Sequence, residues 1–106
     1  MICNTYVEFF KTISDNTRVE ILFLLLDGKL CVKDICRKLR REQTSISHNL
    51  SMLKKRGFVT STREGKRKLY ELTGEAKKLL LLMDDHIQKY FHEACRCKET
   101  ARGVKK

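Results

Sequence analysis

The sequence predicts a mainly helical, single-domain fold with elements in the order α-α-α-α-β-β-α. Three observations predict it. Apolar residues recur at three- and four-residue spacing along most of the chain, the period of an amphipathic helix. One segment, residues 58 to 73, breaks that period with two β-prone runs around a glycine turn. Proline is absent, which suits a helix-rich chain.

Each element has its own signal. Tyr6, Phe9, Phe10 and Ile13 fall on one face of a first helix. The run "SDNT" (14 to 17) stops it and caps a second helix, whose Val19, Ile21, Leu22, Leu25 and Leu26 are apolar enough to be central to the core. Asp27-Gly28 is a turn. A short third helix then begins at Cys31 and turns Val32, Ile35 and Leu39 inward. "RREQ" (40 to 43) reads as a polar turn, and a fourth helix buries Ile46, Leu50 and Leu53. Gly57 ends that helix as the residue after its C-cap. "FVTSTR" (58 to 63), the turn "EGKR" and "KLYELT" (68 to 73) form a hairpin with a basic tip. The last helix runs from Gly74 to about Ala94, with Ala76, Leu79, Leu80, Met83, Ile87, Tyr90, Phe91 and Ala94 in one wide stripe. The domain plan is a helix-turn-helix over 31–56, a hairpin over 58–73, a C-terminal dimerisation helix over 74–94 and a basic tail over 98–106.

Composition narrows the partners. The chain has 106 residues, enough for one small core that a second copy would strengthen. Charged residues make up 34% and apolar residues 42%, an ordinary globular mix. No apolar run approaches the ~18 residues of a membrane span, so no membrane partner is expected. The N-terminus lacks a signal-peptide pattern, so a cytoplasmic location is expected. The net charge of +10 attracts polyanions. Its lysines and arginines gather at "RKLRR" (37 to 41), "KKR" (54 to 56) and "KRK" (66 to 68), in or beside one motif.

That motif is a short helix, a tight turn and a second helix with small polar residues facing out. A helix of this kind fits the major groove of duplex DNA, and short hydroxyl and amide side chains reach bases and phosphates without holding it away. Arg63, Lys66, Arg67 and Lys68 follow on the hairpin, placed to add phosphate contacts. Taken together, "ISDNTRVEILFLL", "KLCVKDIC", "QTSISHNLSMLKKRGFV" and "REGKRKLYEL" resemble the ArsR/SmtB family of metalloregulatory repressors over nearly the whole chain. The resemblance implies a dimeric winged helix-turn-helix repressor of double-stranded operator DNA, paired through its first and last helices. It also implies a recognition helix over about 43 to 56. Gln43, Thr44, Ser45, Ser47, His48 and Ser51 then become candidate base and phosphate readers.

The five cysteines, Cys3, Cys31, Cys36, Cys95 and Cys97, match neither a zinc ribbon nor a thioredoxin-like spacing. Cys31 stands where a helix cap belongs, with Asp34 three residues on, yet a thiol accepts hydrogen bonds poorly. The positive end of a helix dipole favours its thiolate, and Asp34 opposes this while offering a second donor for a cation. The resemblance implies a thiol sensor here, answering to the family pattern "ELCVCDL", with Cys36 at a further thiol position. Lys33 stands where that pattern has its second cysteine. Cys31 and Cys36 lie about 140° apart around an ideal helix, too far to chelate one ion unless its first turn unwinds. Cys3 from a partner's N-terminal arm is one completion of the site. Cys95 and Cys97 near the C-terminus form a second candidate metal site, and by the same resemblance Asp84 and His86 match half of the family's zinc motif.

The leading expectation is therefore a repressor that releases its operator on binding As(III) or another thiophilic ion. A redox-responsive or ligand-independent regulator of the same fold is the nearest alternative. An architectural DNA-binding protein with structural cysteines, archaeal or viral, is a third. An enzyme is least expected, because the chain shows no phosphate-cradling glycine loop and no nucleophile–base motif.

Overall fold

The inward spacing of four and three along the fourth helix is borne out at the centre of the protein. A computed structural model describes residues 4–91. Its helices are α1 (Asn4–Thr12), α2 (Asn16–Leu24), α3 (Val32–Leu39), α4 (Gln43–Lys55) and α5 (Gly74–Tyr90), with a single 3-10 turn over Leu25–Asp27. The strands are β1 (Leu30–Cys31), β2 (Val59–Glu64) and β3 (Arg67–Leu72). Ile46, Leu50 and Leu53 of α4 are fully buried, packed into one cluster with Ile21, Leu22, Leu25 and Ile35. Phe58, Val59, Leu72, Ala76 and Leu80 close the same core from the hairpin and α5.

Local chemistry sets the boundaries. Asp15 caps α2, its carboxylate accepting from the Arg18 amide at 3.1 Å. Thr73 caps α5 in the same way, accepting from the Ala76 amide at 3.1 Å. The α4 terminus is a Schellman motif: Phe58 N–H donates to the Leu53 carbonyl at 2.9 Å and Gly57 N–H to that of Lys54 at 3.2 Å. Gly57 takes φ 83°, a region that glycine enters without a Cβ penalty. At the hairpin tip Gly65 has φ 66° while Lys66 does not take a positive φ, the pattern of a type II′ turn.

The sheet has one strand more than the sequence predicts. β1 pairs antiparallel with β3, placing Leu30 opposite Tyr70 and Cys31 opposite Leu69, and β2 pairs with the other edge of β3. A two-residue strand has too few residues to show a period, so its partner alone reveals it. The last helix also differs from expectation. Its stripe divides: Ala76 and Leu80 are buried in the core, whereas Ile87, Tyr90 and Phe91 are exposed. On α1, Phe9 packs against Phe58 with ring centroids 5.7 Å apart, while Tyr6, Val7 and Phe10 are exposed. No described helix is long and apolar enough to cross a membrane. Ala94, Cys3, Cys95, Cys97 and the basic tail lie outside the described residues.

The two faces of α4 differ in what they contribute to stability. Leu50→Ala should lower unfolding free energy by about 2–5 kcal/mol, because it opens a cavity in a fully buried seam. Ser47→Ala, on the exposed face, should stay within about 0.5 kcal/mol. Urea unfolding of both variants at one protein concentration checks the difference.

Candidate nucleic-acid interface and thiol cluster

α4 presents Gln43, Thr44, Ser47, His48 and Ser51 to solvent on the side opposite its buried seam. Its N-cap, Glu42, makes no side-chain capping bond, so no side chain closes off the first-turn amides from an anion. Ser45 stands apart from the other predicted readers. It is half-buried, and its carbonyl accepts from Asn49 Nδ2 at 2.8 Å.

Asn49 is the residue that the sequence argument missed. It is 7% exposed on the inward face of α4, where an unmatched amide would be costly. Arg18 satisfies it: Nε donates to Asn49 Oδ1 at 3.0 Å, and Nη1 donates to the Thr12 carbonyl at 3.1 Å. One guanidinium thus joins the end of α1 to the middle of α4. The available signal was a polar residue at a core position, one turn after Ile46.

The hairpin places Arg63, Lys66, Arg67 and Lys68 in solvent. Arg63 lies directly opposite Lys68 in the ladder. Like charges facing across a strand pair repel, and a polyanion relieves that repulsion. Lys68 also lies 5.6 Å from the centre of the Tyr70 ring. Lys54 Nζ donates to Ser61 Oγ at 2.8 Å, tying the end of α4 to β2.

Arg67 turns toward the thiols instead. Cys31, whose backbone is extended (φ −88°, ψ 166°), is the N-cap of α3 and makes no side-chain capping bond, as its poor acceptor chemistry predicts. Arg67 Nη2 lies 3.4 Å from Cys31 Sγ and 3.1 Å from Asp34 Oδ2. Arg37 pairs with the other oxygen of Asp34. A hydrogen bond from the Cys31 thiol, aided by both arginines and opposed by partial burial, holds the Asp34 carboxyl below its usual range. Cys31 and then Asp34 raise Arg67 above its ordinary value. A depressed carboxyl contributes its full stability above the unfolded pKa of ~3.9 and loses it as pH falls through the lower folded value. The cluster is therefore intact at neutral pH.

The other candidate ligands among the described residues do not join it. Cys36 packs against the hydrophobic core. Asp84 is buried on α5, whereas His86 is exposed and stacks on Tyr90 at 4.9 Å, so the zinc half-motif is divided. Among the described residues no three His, Cys, Asp or Glu side chains gather closely enough to hold a metal ion. Cys31 and Asp34 are the two of these candidate side chains that lie together, both against Arg67.

Comparison with known proteins agrees with this architecture. Residues 15–61 match the family model described as bacterial regulatory protein, arsR family. An HTH-type transcriptional regulator of Methanocaldococcus jannaschii is 39% identical over 80 residues, covering 74% of this chain and 90% of that protein. An arsenical resistance operon repressor of Staphylococcus aureus is 31% identical over 98 residues, covering 88% of each. A cadmium resistance transcriptional regulatory protein CadC homolog of Staphylococcus aureus is 40% identical over 75 residues, and this chain spans 62% of its length. The solution structure of a homodimeric winged helix-turn-helix DNA-binding domain from Mycobacterium bovis, a possible ArsR-family regulator, superposes with a TM-score of 0.72 at 28% identity. It covers 89% of this chain and 87% of that one. With its polar reading helix, its basic wing and relatives matched over most of their length, the chain belongs to the arsR family of winged helix-turn-helix transcriptional repressors.

Proposed function

We propose that the protein is a homodimer that binds operator DNA through α4 and the wing and releases it when Cys31 takes up a thiophilic ion of the arsenic(III) or cadmium class. The observation that carries the reading is the exposed polar face of α4 followed at once by a like-charged hairpin. Gln43, Thr44, Ser47, His48 and Ser51 read the groove, and Ser45 positions the helix. Arg63, Lys66, Arg67 and Lys68 hold phosphates. Cys31 and Asp34 are the first two donors, and Cys3, Cys36, Cys95 and Cys97 are the thiols from which a third is drawn. Such an ion supplies soft-metal bonding to thiolate sulfur. Relatives that act in arsenical and cadmium resistance support this choice of effector.

The exposed aromatic faces of α1 and α5 support self-association. Tyr6 and Phe10 are each 62% exposed and Tyr90 is 71% exposed, more apolar surface than a lone domain of this size usually leaves in water. Tyr6→Glu combined with Phe10→Glu should convert a dimer to a monomer in sedimentation velocity without loss of helical signal. A wild-type monomer at micromolar concentration would overturn the dimer.

The division between reading and holding has a separate test. Replacing Lys66 and Lys68 by Ala should weaken binding to all duplexes alike and flatten the salt dependence by roughly one to two units. Replacing Ser47 or His48 should change sequence preference instead. Salt titrations on a panel of duplexes separate the two outcomes.

For the sensor, Cys31→Ser should keep the fold and operator binding, since serine caps better than a thiol. It should no longer release DNA when arsenite or cadmium is added, as read by fluorescence anisotropy. The Cys95→Ser, Cys97→Ser double variant should still respond. Loss of response in that variant alone would place the sensor near the C-terminus. Release by a disulfide oxidant, but by no ion, would favour a redox switch.

A further inference from the structure

Arg67 has two claims on its single guanidinium. It belongs to the basic wing, flanked by Lys66 and Lys68, where the DNA-binding reading needs a free cation. Yet in the free protein it is engaged with Asp34 Oδ2 at 3.1 Å and Cys31 Sγ at 3.4 Å. The geometry follows from the sheet. β1 sets Cys31 opposite Leu69, and Arg67 lies two residues earlier on β3, on the same face of the ladder. Asp34 sits three residues into α3 from Cys31, on the same helix face. The guanidinium therefore reaches over the start of α3 and away from the neighbouring lysines.

A carboxylate and a phosphate are rival anions for one arginine, because both accept from the same planar donors. We infer that Asp34, with Cys31, is an internal competitor for the DNA phosphate backbone, a built-in brake that holds Arg67 against the sensor helix in the free protein and yields it when DNA binds. Asp34 keeps a second partner, Arg37, after Arg67 leaves, so releasing Arg67 does not strand the carboxylate. Both side chains of the Arg67–Asp34 pair retain solvent contact, at 61% and 22% exposure. Exchange between the two anions therefore requires no opening of the core. The brake also couples the sites. A change at Cys31 or Asp34 alters how freely Arg67 can leave, and DNA binding alters the surroundings of Cys31 by the same linkage.

This inference rests on the DNA-binding reading of the wing, and its test uses no ion. Wild type, Asp34→Asn, Arg67→Gln and the double variant are titrated against a fluorescent mixed-sequence duplex long enough for two half-sites. Asp34→Ser serves as a second removal of the carboxylate, and circular dichroism confirms that each variant is folded. Asp34→Asn should tighten binding about three- to tenfold when Arg67 is present and by less than about twofold when residue 67 is glutamine. An equal gain in both backgrounds would mean that Asp34 acts only through net charge, and it overturns the brake. Weaker binding on losing Asp34 also overturns it, because the carboxylate would then be aiming Arg67 at the phosphate. If none of the four proteins binds duplex, the DNA-binding reading fails together with the brake. Tight binding with an additive cycle removes the brake alone.

Discussion

The buried row of Ile46, Leu50 and Leu53 is the constraint on which the rest of the protein depends. Spacings of four and three residues keep all three on one side of α4, so burying them decides which residues face outward. The same row contacts the cluster supplied by α2 and α3, which fixes the angle at which α4 stands. Asn49 lies within that inward face, and Arg18 answers it. The core thus holds α4 by dispersion and area, and one guanidinium ties it to the end of α1 at Thr12. Because α1 also carries exposed aromatic residues, the helix proposed to meet a partner copy and the helix proposed to read DNA share a hydrogen-bonded joint.

A second tie runs through β1. Two residues of pairing bring the first turn of α3 against the wing strand β3, and the side chains exploit that contact at Cys31, Asp34 and Arg67. Sequence spacing places a thiol at a helix start but does not say what lies across from it. The sheet register does. Among the described residues Cys36 packs against the core, while Cys31 and Asp34 lie together beneath Arg67 at the start of α3.

The helices were legible because each carries a 3.6-residue apolar period. The recognition helix, expected over about 43 to 56, is observed over Gln43–Lys55. The hairpin was legible because glycine sits at its turn and β-prone residues on either side. Three features were not legible, each for a physical reason. β1 spans one strand period of two residues, too few to show an alternation. The Arg18–Asn49 bond joins residues 31 apart in the chain, and no local pattern records such a pairing. The division of the last helix into a buried upper part and an exposed lower part depends on where the core ends, whereas its apolar stripe continues unbroken. The candidate readers on α4 were chosen by facing and size; of them Ser45 is half-buried beside Asn49, a burial that depends on neighbours no local pattern records.

The Arg63–Lys68 pair gives the wing an unusual dependence. Most strand pairs are held by packing on at least one face, yet the tip of this hairpin is exposed from Thr62 to Lys68 and carries two cations in direct opposition. Salt screens that opposition, so the local opening free energy of the tip depends on the surrounding ions as well as on its own side chains. A polyanion that neutralises the pair should therefore slow amide exchange at the tip more than in the α4 seam.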